Sequence, residues 1–368
     1  MEAHHLVADS ERLGQALVPI AEGRSHGGVN RELLAAIASA GLLERLFADD
    51  GVSASDLCRI RQGLARVCTE AETAFAVQGL GGIPIHLSEN ESIKAKWMPA
   101  IRSGEAVAAF ALTEPGAGSD AANLSMSADR DGDGYRLSGE KTYISNAPDA
   151  DIATVFARTT QSAGHRGVTA FAVPISLDGI TGESIEMVSP HALGRWMFDG
   201  VYVPDDHVLG EVDQGFKVAM QTLDLFRPSV GAFALGMAEA ALEIAVEHAT
   251  GREAFGTPIS EFQGVSHQLA DIRVAIAASE HLIYSAAETY DSGDRESLKG
   301  KSAMAKLHAT ETAQQAVDVA IQVLGARGLE ADSTLAHLYR EVRAPRIYEG
   351  TSEIQRNIIA RELFRRRL

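Results

Sequence analysis

The pattern of the chain changes at residues 110–120, which read FALTEPGAGSD. Pro115 fixes a turn, and the two glycines that follow it permit tight backbone geometry. The backbone N–H groups of such a loop, together with the hydroxyls of Thr113 and Ser119, suit the polar edge of a ring system or phosphate oxygens. Ordinary Gly/Pro connections have the same composition, so this loop taken alone leaves both interpretations open.

Before this loop the sequence predicts helices. Apolar residues recur at three- and four-residue spacing in residues 10–20, 30–46 and 54–77, and glycines mark the joins. Asn30 is predicted to cap the second of these segments. Residues 1–108 are therefore predicted to form a helical N-terminal domain.

After the loop the apolar period changes to two. Residues 131–134 read DGDG, a hairpin signal, and residues 152–157 and 168–173 are short apolar runs that resemble strands. Residues 201–204 close this region. Several short strands separated by turn signals are typical of a barrel or a sandwich. Residues 109–210 are therefore predicted to form a β-barrel-like middle domain.

From residue 211 to residue 368 the pattern is helical again. Long helices are indicated at 261–290 and 298–324. One face of the helix before them is apolar and carries Val230, Phe233, Ala234, Met237, Ala241, Ile244 and His248. Long helices with short joins favour an antiparallel bundle. The predicted fold is an α+β multi-domain chain with the order helix, β, helix.

The composition and charge of the chain argue against several classes of protein. The net charge of −17 argues against nucleic-acid binding, which requires basic surfaces. The chain lacks a run of about 18 apolar residues, so no membrane span is predicted. No secretory signal is visible, and the two cysteines, Cys58 and Cys68, match no metal or redox spacing. We expect a cytoplasmic protein with two buried, reduced thiols and no metal.

Near the end of the chain, residues 347–356 read IYEGTSEIQR, which predicts a tight turn entering an amphipathic helix. Gly350 permits a positive φ, and Ser352 with Gln355 fits a capping box. A carboxylate such as Glu349, held beside an aromatic residue, can act as a general base. It can equally be a favourable charge at the positive end of a helix.

Five blocks of the chain resemble, in order, those of the acyl-CoA dehydrogenase family of flavoproteins. They are residues 112–120, 143–146 (YISN), 252–256 (REAFG) with Gln263, 322–328 (QVLGARG) and 348–356. The resemblance extends over residues 30–364 and implies a helical N-terminal domain, a β-barrel-like middle domain and a C-terminal four-helix bundle. It also implies FAD as the cofactor and α,β-dehydrogenation of an acyl thioester carried by CoA or a carrier protein.

The resemblance assigns roles to individual residues. Glu349 matches the base that removes the α-proton. The positions that match substrate contacts are Ser119, Asp224, Arg227 and Gly350. The positions that match FAD contacts are Phe110, Leu112, Thr113, Gly118, Ser119, Tyr143, Ser145, Arg252, Phe255, Gln263, Gln322, Val323, Gly325, Ala326, Thr351 and Glu353. Arg252, Phe255, Gln263 and the 322–326 backbone are expected to bind the FAD of a neighbouring subunit.

Several structural alternatives stay open. Arg252 is otherwise a solvated arginine at a helix end, and Phe255 is otherwise a core aromatic. Asp224 and Arg227 are equally expected to pair with each other at a helix start. The resemblance further implies a homodimer or homotetramer and an electron-acceptor protein such as an electron-transfer flavoprotein. The alternative activity on this fold is a flavin-dependent monooxygenase, against which the presence of Glu349 argues.

The chain departs from the family pattern at three places. Residues 192–199 (ALGRWMFD) are shorter than usual and lack the serine of a Gly-x-Arg-x-Ser motif, which puts the usual CoA contacts in doubt. Tyr143 replaces a more common tryptophan over the flavin. The region after Leu46 lacks a Gly-Gly-Leu-Gly loop. These departures leave the acyl carrier open.

Overall fold

The computed structural model describes residues 2–23, 28–161, 164–189 and 191–365. The chain forms two compact units. The helical unit comprises Met1–Val18, Ser53–Glu72 and Asp224–Leu368, and the sheet unit comprises Pro19–Val52 and Thr73–Leu223. The predicted domain boundaries at residues 108 and 210 stay a prediction.

The N-terminal part of the chain is helical, as predicted. Its helices are α1 (Glu2–Glu22), α2 (Arg31–Ser39), α3 (Leu42–Leu46), α4 (Ala54–Ala65), α5 (Thr69–His86) and α6 (Glu91–Arg102). The predicted cap is confirmed, because the Asn30 side chain accepts a hydrogen bond from the Leu33 N–H at 3.0 Å. The apolar pattern of residues 30–46 predicts one helical segment, but Gly41 at φ 80° divides it into α2 and α3.

The middle of the chain forms a curled seven-stranded sheet. Its strands are β1 (Ala108–Ala111), β2 (Ser127–Asp131), β3 (Gly134–Ser145), β4 (Ile152–Arg158), β5 (Val168–Pro174), β6 (Ile180–Ser184) and β7 (Leu193–Pro204). Hydrogen bonds connect them in the order β1-β4-β2-β3-β7-β6, and β5 pairs with β4. The predicted hairpin is confirmed, with Asp131 opposite Gly134.

The core of the sheet unit lies against β4 and β5, where every residue is buried. In α5, Gly81 permits a very close approach, since a Cβ there would lie 2.5 Å from the Ala109 nitrogen. The Gly81 carbonyl accepts a hydrogen bond from the Thr154 hydroxyl at 3.2 Å. This contact fixes α5 on the sheet beside the strand that leads into the 110–120 loop.

The C-terminal part of the chain is helical again, which confirms the predicted fold class. Its elements are α7 (Gly215–Gly251), β8 (Glu253–Ala254), β9 (Thr257–Pro258), α8 (Gln263–Asp291), α9 (Arg295–Leu324), α10 (Thr334–Glu341) and α11 (Ser352–Arg365). Helix α9 packs against both α8 and α11. Helix α7 is long and apolar enough to cross a membrane, but 72% of its apolar window is buried inside the fold, as in the core helix of a globular protein.

Both cysteines are buried free thiols, as predicted. They do not share a helix: Cys58 lies in α4, and Cys68 lies in the turn before α5. Burial raises the pKa of each thiol to about 12. Neither thiol therefore has the low pKa of a reactive cysteine.

A buried ion pair fixes the 110–120 loop within the sheet unit. Lys141 Nζ, fully buried in β3, lies 2.8 Å from Glu114 Oε1 and donates to the Leu112 carbonyl at 3.1 Å. The Glu114 carboxylate also accepts hydrogen bonds from the N–H groups of Ser125 and Met126 at 2.6 and 3.0 Å. Since both charges are satisfied, the pair is tolerated inside the fold.

Breaking this pair is expected to destabilise the protein. Lys141→Met should lower the free energy of unfolding in urea by about 3–5 kcal/mol, because it leaves a buried carboxylate without its cation. The double variant Lys141→Met/Glu114→Gln should recover part of that loss. Asp205→Asn, which removes the exposed Arg130–Asp205 pair, is the control and should change little. Equal effects of the buried and the exposed substitutions would contradict this role.

Candidate active site

The turn before α11 has an unusual backbone. Glu349 has φ 51° and Gly350 has φ 93°, so two consecutive residues are left-handed. This confirms the positive φ predicted for Gly350, where a Cβ would lie 2.7 Å from Gln355 Nε2. A left-handed glutamate is unfavourable on its own and persists only where the surroundings impose it.

The predicted capping box is wrong. The hydroxyl of Thr351, not Ser352, accepts a hydrogen bond from the Ile354 N–H, at 3.3 Å. The Ser352 hydroxyl instead donates to Glu311 Oε1 of α9 at 2.7 Å. Thr351, and not Ser352, therefore caps α11. The first turn of α11 is anchored to α9 by the hydrogen bond between Ser352 and Glu311.

The carbonyl groups of this turn are bound by two buried side chains. Lys306 Nζ donates to the carbonyls of Tyr348 and Gly350 at 2.9 and 2.5 Å. Gln355 Nε2 donates to the Gly350 carbonyl at 2.9 Å and to the Glu349 carbonyl at 3.4 Å. Within the described residues the Glu349 N–H donates to no protein acceptor. That donor is available to a bound molecule.

One carboxyl oxygen of Glu349 is removed from water, although the residue as a whole is half-buried. Its Oε2 atom is buried and has no hydrogen-bond partner among the described residues. Burial is the main cause that raises the pKa of Glu349, and it is partly offset by the positive charges of Arg61, Lys306 and Arg227. A carboxylate with a raised pKa and an unpaired oxygen is suited to accept a proton from a bound molecule.

The first of these cations, Arg61, lies in α4 and is only 3% exposed. Its Nε pairs with Glu72, and its Nη1 donates to the Ser229 hydroxyl at 2.7 Å. The start of α4 is itself fixed by the Asp291 carboxylate, which accepts from the Ala54 N–H at 2.7 Å. Arg61 is thus a positioned charge beside Glu349.

The second, Arg227, pairs with Asp224 at 2.9 Å, which confirms one of the two predicted alternatives. The pair lies inside α7 and not at a helix start, because α7 begins at Gly215. The pairing does not remove Arg227 from the site: its Nε is buried without a partner among the described residues, and its charge acts on Glu349. The pairing with Asp224 is therefore observed, and the predicted substrate contact of Arg227 stays a prediction.

Burial lowers the pKa of the third cation, Lys306, to about 8, although the negative charge of Glu349 opposes that effect. Sequence reasoning missed both Lys306 and Arg61. A signal was present, since Lys306 lies on the face of α9 that also carries the buried residues Ala303, Ala309 and Ala313. A single lysine on an apolar face is rarely buried without a charged or carbonyl partner. In α4, Arg61 likewise lies among buried apolar residues, here Leu57, Ile60 and Leu64.

The predicted REAFG block forms the tip of a two-stranded hairpin, β8–β9. Phe255 and Gly256 have φ 54° and 86°, the two positive values of a type I′ turn. The Phe255 ring is 99% exposed, so the core-aromatic interpretation is wrong. Arg252 is exposed and, with Arg327, acts on His248, whose pKa is lowered by burial and by these two guanidinium groups. Both guanidinium groups therefore act on the same part of the helical unit.

The other predicted residues of the helical unit lie at helix ends. Gln263 is the first residue of α8 and is exposed. Gln322 and Ala326 are exposed and Val323 is half-buried, where Gly325 ends α9 at φ 63°. In α11, Glu353 is exposed and lies 3.6 Å from Arg356.

In the sheet unit, Tyr143 lies in a β-bulge of β3 at φ 55°, and its side chain is 59% exposed. In the 110–120 loop, Gly118 and Ser119 are exposed while Leu112 is buried. The Thr113 carbonyl accepts from the Thr142 N–H at 3.0 Å, which places this loop beside the bulge. Phe110 packs on Phe156 with ring centroids 4.9 Å apart, and Ser145 is half-buried at the end of β3. An exposed aromatic ring beside a polar loop is suited to stack on a planar ligand.

Comparisons with known proteins agree with this arrangement. The model of the acyl-CoA dehydrogenase middle domain matches residues 109–201, and that of the acyl-CoA dehydrogenase C-terminal domain matches residues 213–364. Together the two models match more than half of the chain.

Among curated proteins, the chain is 39% identical over 285 residues to the mitochondrial short-chain specific acyl-CoA dehydrogenase of Sus scrofa, covering 77% of this chain and 69% of that protein. It is 36% identical over 294 residues to the caffeyl-CoA reductase–Etf complex subunit CarC of Acetobacterium woodii, covering 78% and 76% of the two chains.

Among solved structures, butyryl-CoA dehydrogenase from Megasphaera elsdenii superposes with a TM-score of 0.90 at 32% identity, covering 98% of both chains. PigA with FAD and proline superposes with a TM-score of 0.94 at 25% identity, covering 99% of this chain and 98% of that one. The family models and these relatives lead to one assignment: the chain belongs to the acyl-CoA dehydrogenase family.

Proposed function

We propose that this chain catalyses the FAD-dependent α,β-dehydrogenation of an acyl-CoA thioester, with Glu349 as the base that removes the α-proton. The observation that carries the proposal is the buried Oε2 of Glu349, which has no partner among the described residues and belongs to a carboxyl of raised pKa. Family membership supports the reaction class and the cofactor, since PigA was solved with FAD.

The chemistry divides between the protein and the cofactor. An α-proton of a thioester is weakly acidic, so its removal needs a base placed in an apolar environment and a stabilised oxygen on the thioester. The Glu349 carboxylate accepts the α-proton at Oε2, and its backbone N–H is the donor proposed for the thioester oxygen. Bound FAD supplies the acceptor for the β-hydride. The Cα–H and Cβ–H bonds are lost, and the product is an α,β-unsaturated thioester.

Each unit, taken by itself, carries residues that suit a part of FAD. The pyrophosphate is a dianion, and Arg252, exposed beside β8, offers a permanent charge with forked donors. The exposed rings of Phe255 and Tyr143 offer apolar faces on which a planar ligand can stack. We propose that Arg252, Phe255, Gln263 and the 322–326 backbone bind the FAD of a neighbouring subunit. The remaining FAD positions predicted from the sequence stay proposals in the same sense.

The relatives also support the choice of partner. One of them is a subunit of a reductase–Etf complex, so we propose an electron-transfer flavoprotein as the electron acceptor. A homodimer or homotetramer follows from the proposed sharing of FAD between subunits. The cytoplasmic location stays a prediction from composition. The flavin-dependent monooxygenase finds no support among these relatives, which are dehydrogenases and a reductase.

The base assignment predicts the behaviour of Glu349→Gln. This variant should keep its FAD but lose flavin bleaching by acyl-CoA under anaerobic conditions, with a rate about 100- to 10,000-fold lower. In the unmodified enzyme the rate should rise with pH through a limb above the ordinary pKa of glutamate, because the protonated carboxyl cannot accept the proton. Stopped-flow absorbance measures both quantities. Undiminished bleaching by the variant would remove Glu349 from this role.

The FAD assignment predicts a selective loss of cofactor. Arg252→Ala and Phe255→Ala should each raise the Kd of FAD about tenfold or more, because each removes an anchor of the bound molecule. Both side chains are exposed, so the melting temperature of the FAD-free protein should change little. Val274→Ala, which removes another exposed apolar side chain of the helical unit, is the control. Unchanged FAD titrations for Arg252→Ala and Phe255→Ala would show that neither residue is a ligand.

The carrier of the acyl group is tested by a matched substrate pair. The same acyl chain presented on CoA and on a phosphopantetheinyl carrier protein should bleach the flavin faster as the CoA thioester, since three of the relatives named above act, by their names, on CoA thioesters. Faster bleaching by the carrier-bound substrate would reverse this assignment and give the shortened 192–199 segment a function. The Glu349→Gln variant should remain inactive with both substrates.

A further inference from the structure

Lys306 is a buried cation that the reaction described above does not use. It lies in α9 with 0% of its surface exposed, between the buried residues Ser302, Ala303, Ala309 and Thr310 of the same helix. Its ammonium group is bound to the carbonyls of Tyr348 and Gly350, the two residues that flank Glu349. Burying an ammonium group costs several kcal/mol unless its hydrogen bonds and charge are compensated. The contacts of Lys306 with these two carbonyls therefore have to compensate the cost of burying its ammonium group.

The geometry of the peptide groups shows what the contact does. A trans peptide is planar, and its C=O and N–H point in opposite directions. The Tyr348 carbonyl belongs to the same peptide as the Glu349 N–H, so binding that carbonyl to Lys306 directs the N–H away from α9. The Gly350 carbonyl, bound by both Lys306 and Gln355, fixes the peptide on the other side of the turn. The peptide between them is bound through the Glu349 carbonyl at 3.4 Å from Gln355 Nε2.

We propose that Lys306 and Gln355 are positioning residues for Glu349: together they impose the left-handed turn that aims its carboxylate and its N–H, and Lys306 also supplies a positive charge that keeps the carboxylate ionised. This proposal rests on the proposed role of Glu349 as the base. Neither side chain is assigned a contact with substrate: both act through the backbone of residues 348–350, and Lys306 acts in addition through its charge.

Lys306 is one of several charged groups that influence the ionisation of the Glu349 carboxyl. Arg61 of α4 and Arg227 of α7 also favour the ionised form of Glu349. Glu72 and Asp224 pair with those arginines, and Glu311 of α9 and Glu353 of α11 act on Lys306 together with Glu349 and Arg227. Tyr348, whose side chain is 37% exposed, is uncharged in the pH range of the test, because the ordinary pKa of tyrosine is about 10. Removing Lys306 therefore leaves two cations beside Glu349 and raises the pKa of its carboxyl further.

Two variants separate orientation from charge. Lys306→Met keeps the length of the side chain but removes both the donors and the charge, whereas Gln355→Leu removes only the donors. Both should lower kcat about 100-fold, because a displaced reacting group loses its alignment, while KM and FAD content change little. Only Lys306→Met should move the acidic limb of the kcat–pH profile to higher pH. Lys301→Met is the control: it removes a lysine of the same helix that donates to the Thr289 hydroxyl at 2.8 Å.

A readout without turnover tests the same point in the FAD-free protein. The infrared carboxyl band of Glu349, identified as the band that Glu349→Gln lacks, should titrate at higher pH in Lys306→Met than in the unmodified protein or in Lys301→Met. Ethylammonium added to Lys306→Ala should restore part of kcat by replacing the missing ammonium group. A structural role alone would lower the melting temperature without moving the titration.

The outcomes distinguish this inference from the proposed function. If Glu349→Gln is inactive but Lys306→Met retains kcat and both titrations are unmoved, the positioning role is wrong and the base assignment stands. If Glu349→Gln still bleaches the flavin, the base assignment fails, and with it the premise of the positioning role. Loss of kcat with a displaced limb in Lys306→Met, loss without displacement in Gln355→Leu, and neither change in Lys301→Met would support the proposal.

Discussion

The burial of one carboxyl oxygen of Glu349 is the constraint around which the charges of the helical unit are arranged. An isolated buried carboxylate would take up a proton, so its use as a base near neutral pH requires positive charge nearby. Arg61, Lys306 and Arg227 supply that charge from α4, α9 and α7. Arg61 is compensated in turn by Glu72, and Arg227 by Asp224. The result is a nearly balanced group of charges in which desolvation raises the pKa of Glu349 and the cations limit that rise.

The same balance links chemistry to backbone conformation. Lys306 is a charge beside the carboxylate and also a donor to the carbonyls of Tyr348 and Gly350. The sheet unit uses the same device, because buried Lys141 pairs with Glu114 and donates to the Leu112 carbonyl. In both units a lysine inside the fold binds the backbone of a segment that the family resemblance assigns to cofactor or substrate. Short loops that would otherwise be mobile are thereby fixed by contacts from regular elements.

The sequence could predict the order of helices and strands because the apolar period changes clearly near residues 110 and 210. It could indicate the family because five residue strings are specific and occur in order, which the family models confirm. It could not predict how those segments are fixed. Gly41 divides a continuous apolar pattern, and Thr351 caps a helix where Ser352 fits the motif equally well. In the sequence, Lys306 and Arg61 look like ordinary charged residues of helices, because the groups that they bind lie more than ten residues away along the chain. Phe255 reads as a core residue because exposure is set by the fold around it.

Removal of the substrate α-proton by Glu349, as the flavin is reduced, can be followed in a single-turnover isotope experiment. Anaerobic flavin bleaching is followed with an acyl-CoA carrying hydrogen and then deuterium at the α-carbon. If the Cα–H bond breaks in the step that bleaches the flavin, the deuterated substrate reacts more slowly by a primary isotope effect, and both substrates fail with Glu349→Gln. Equal bleaching rates for the two substrates, or bleaching by Glu349→Gln, would show that Glu349 does not remove the α-proton in the step that reduces the flavin.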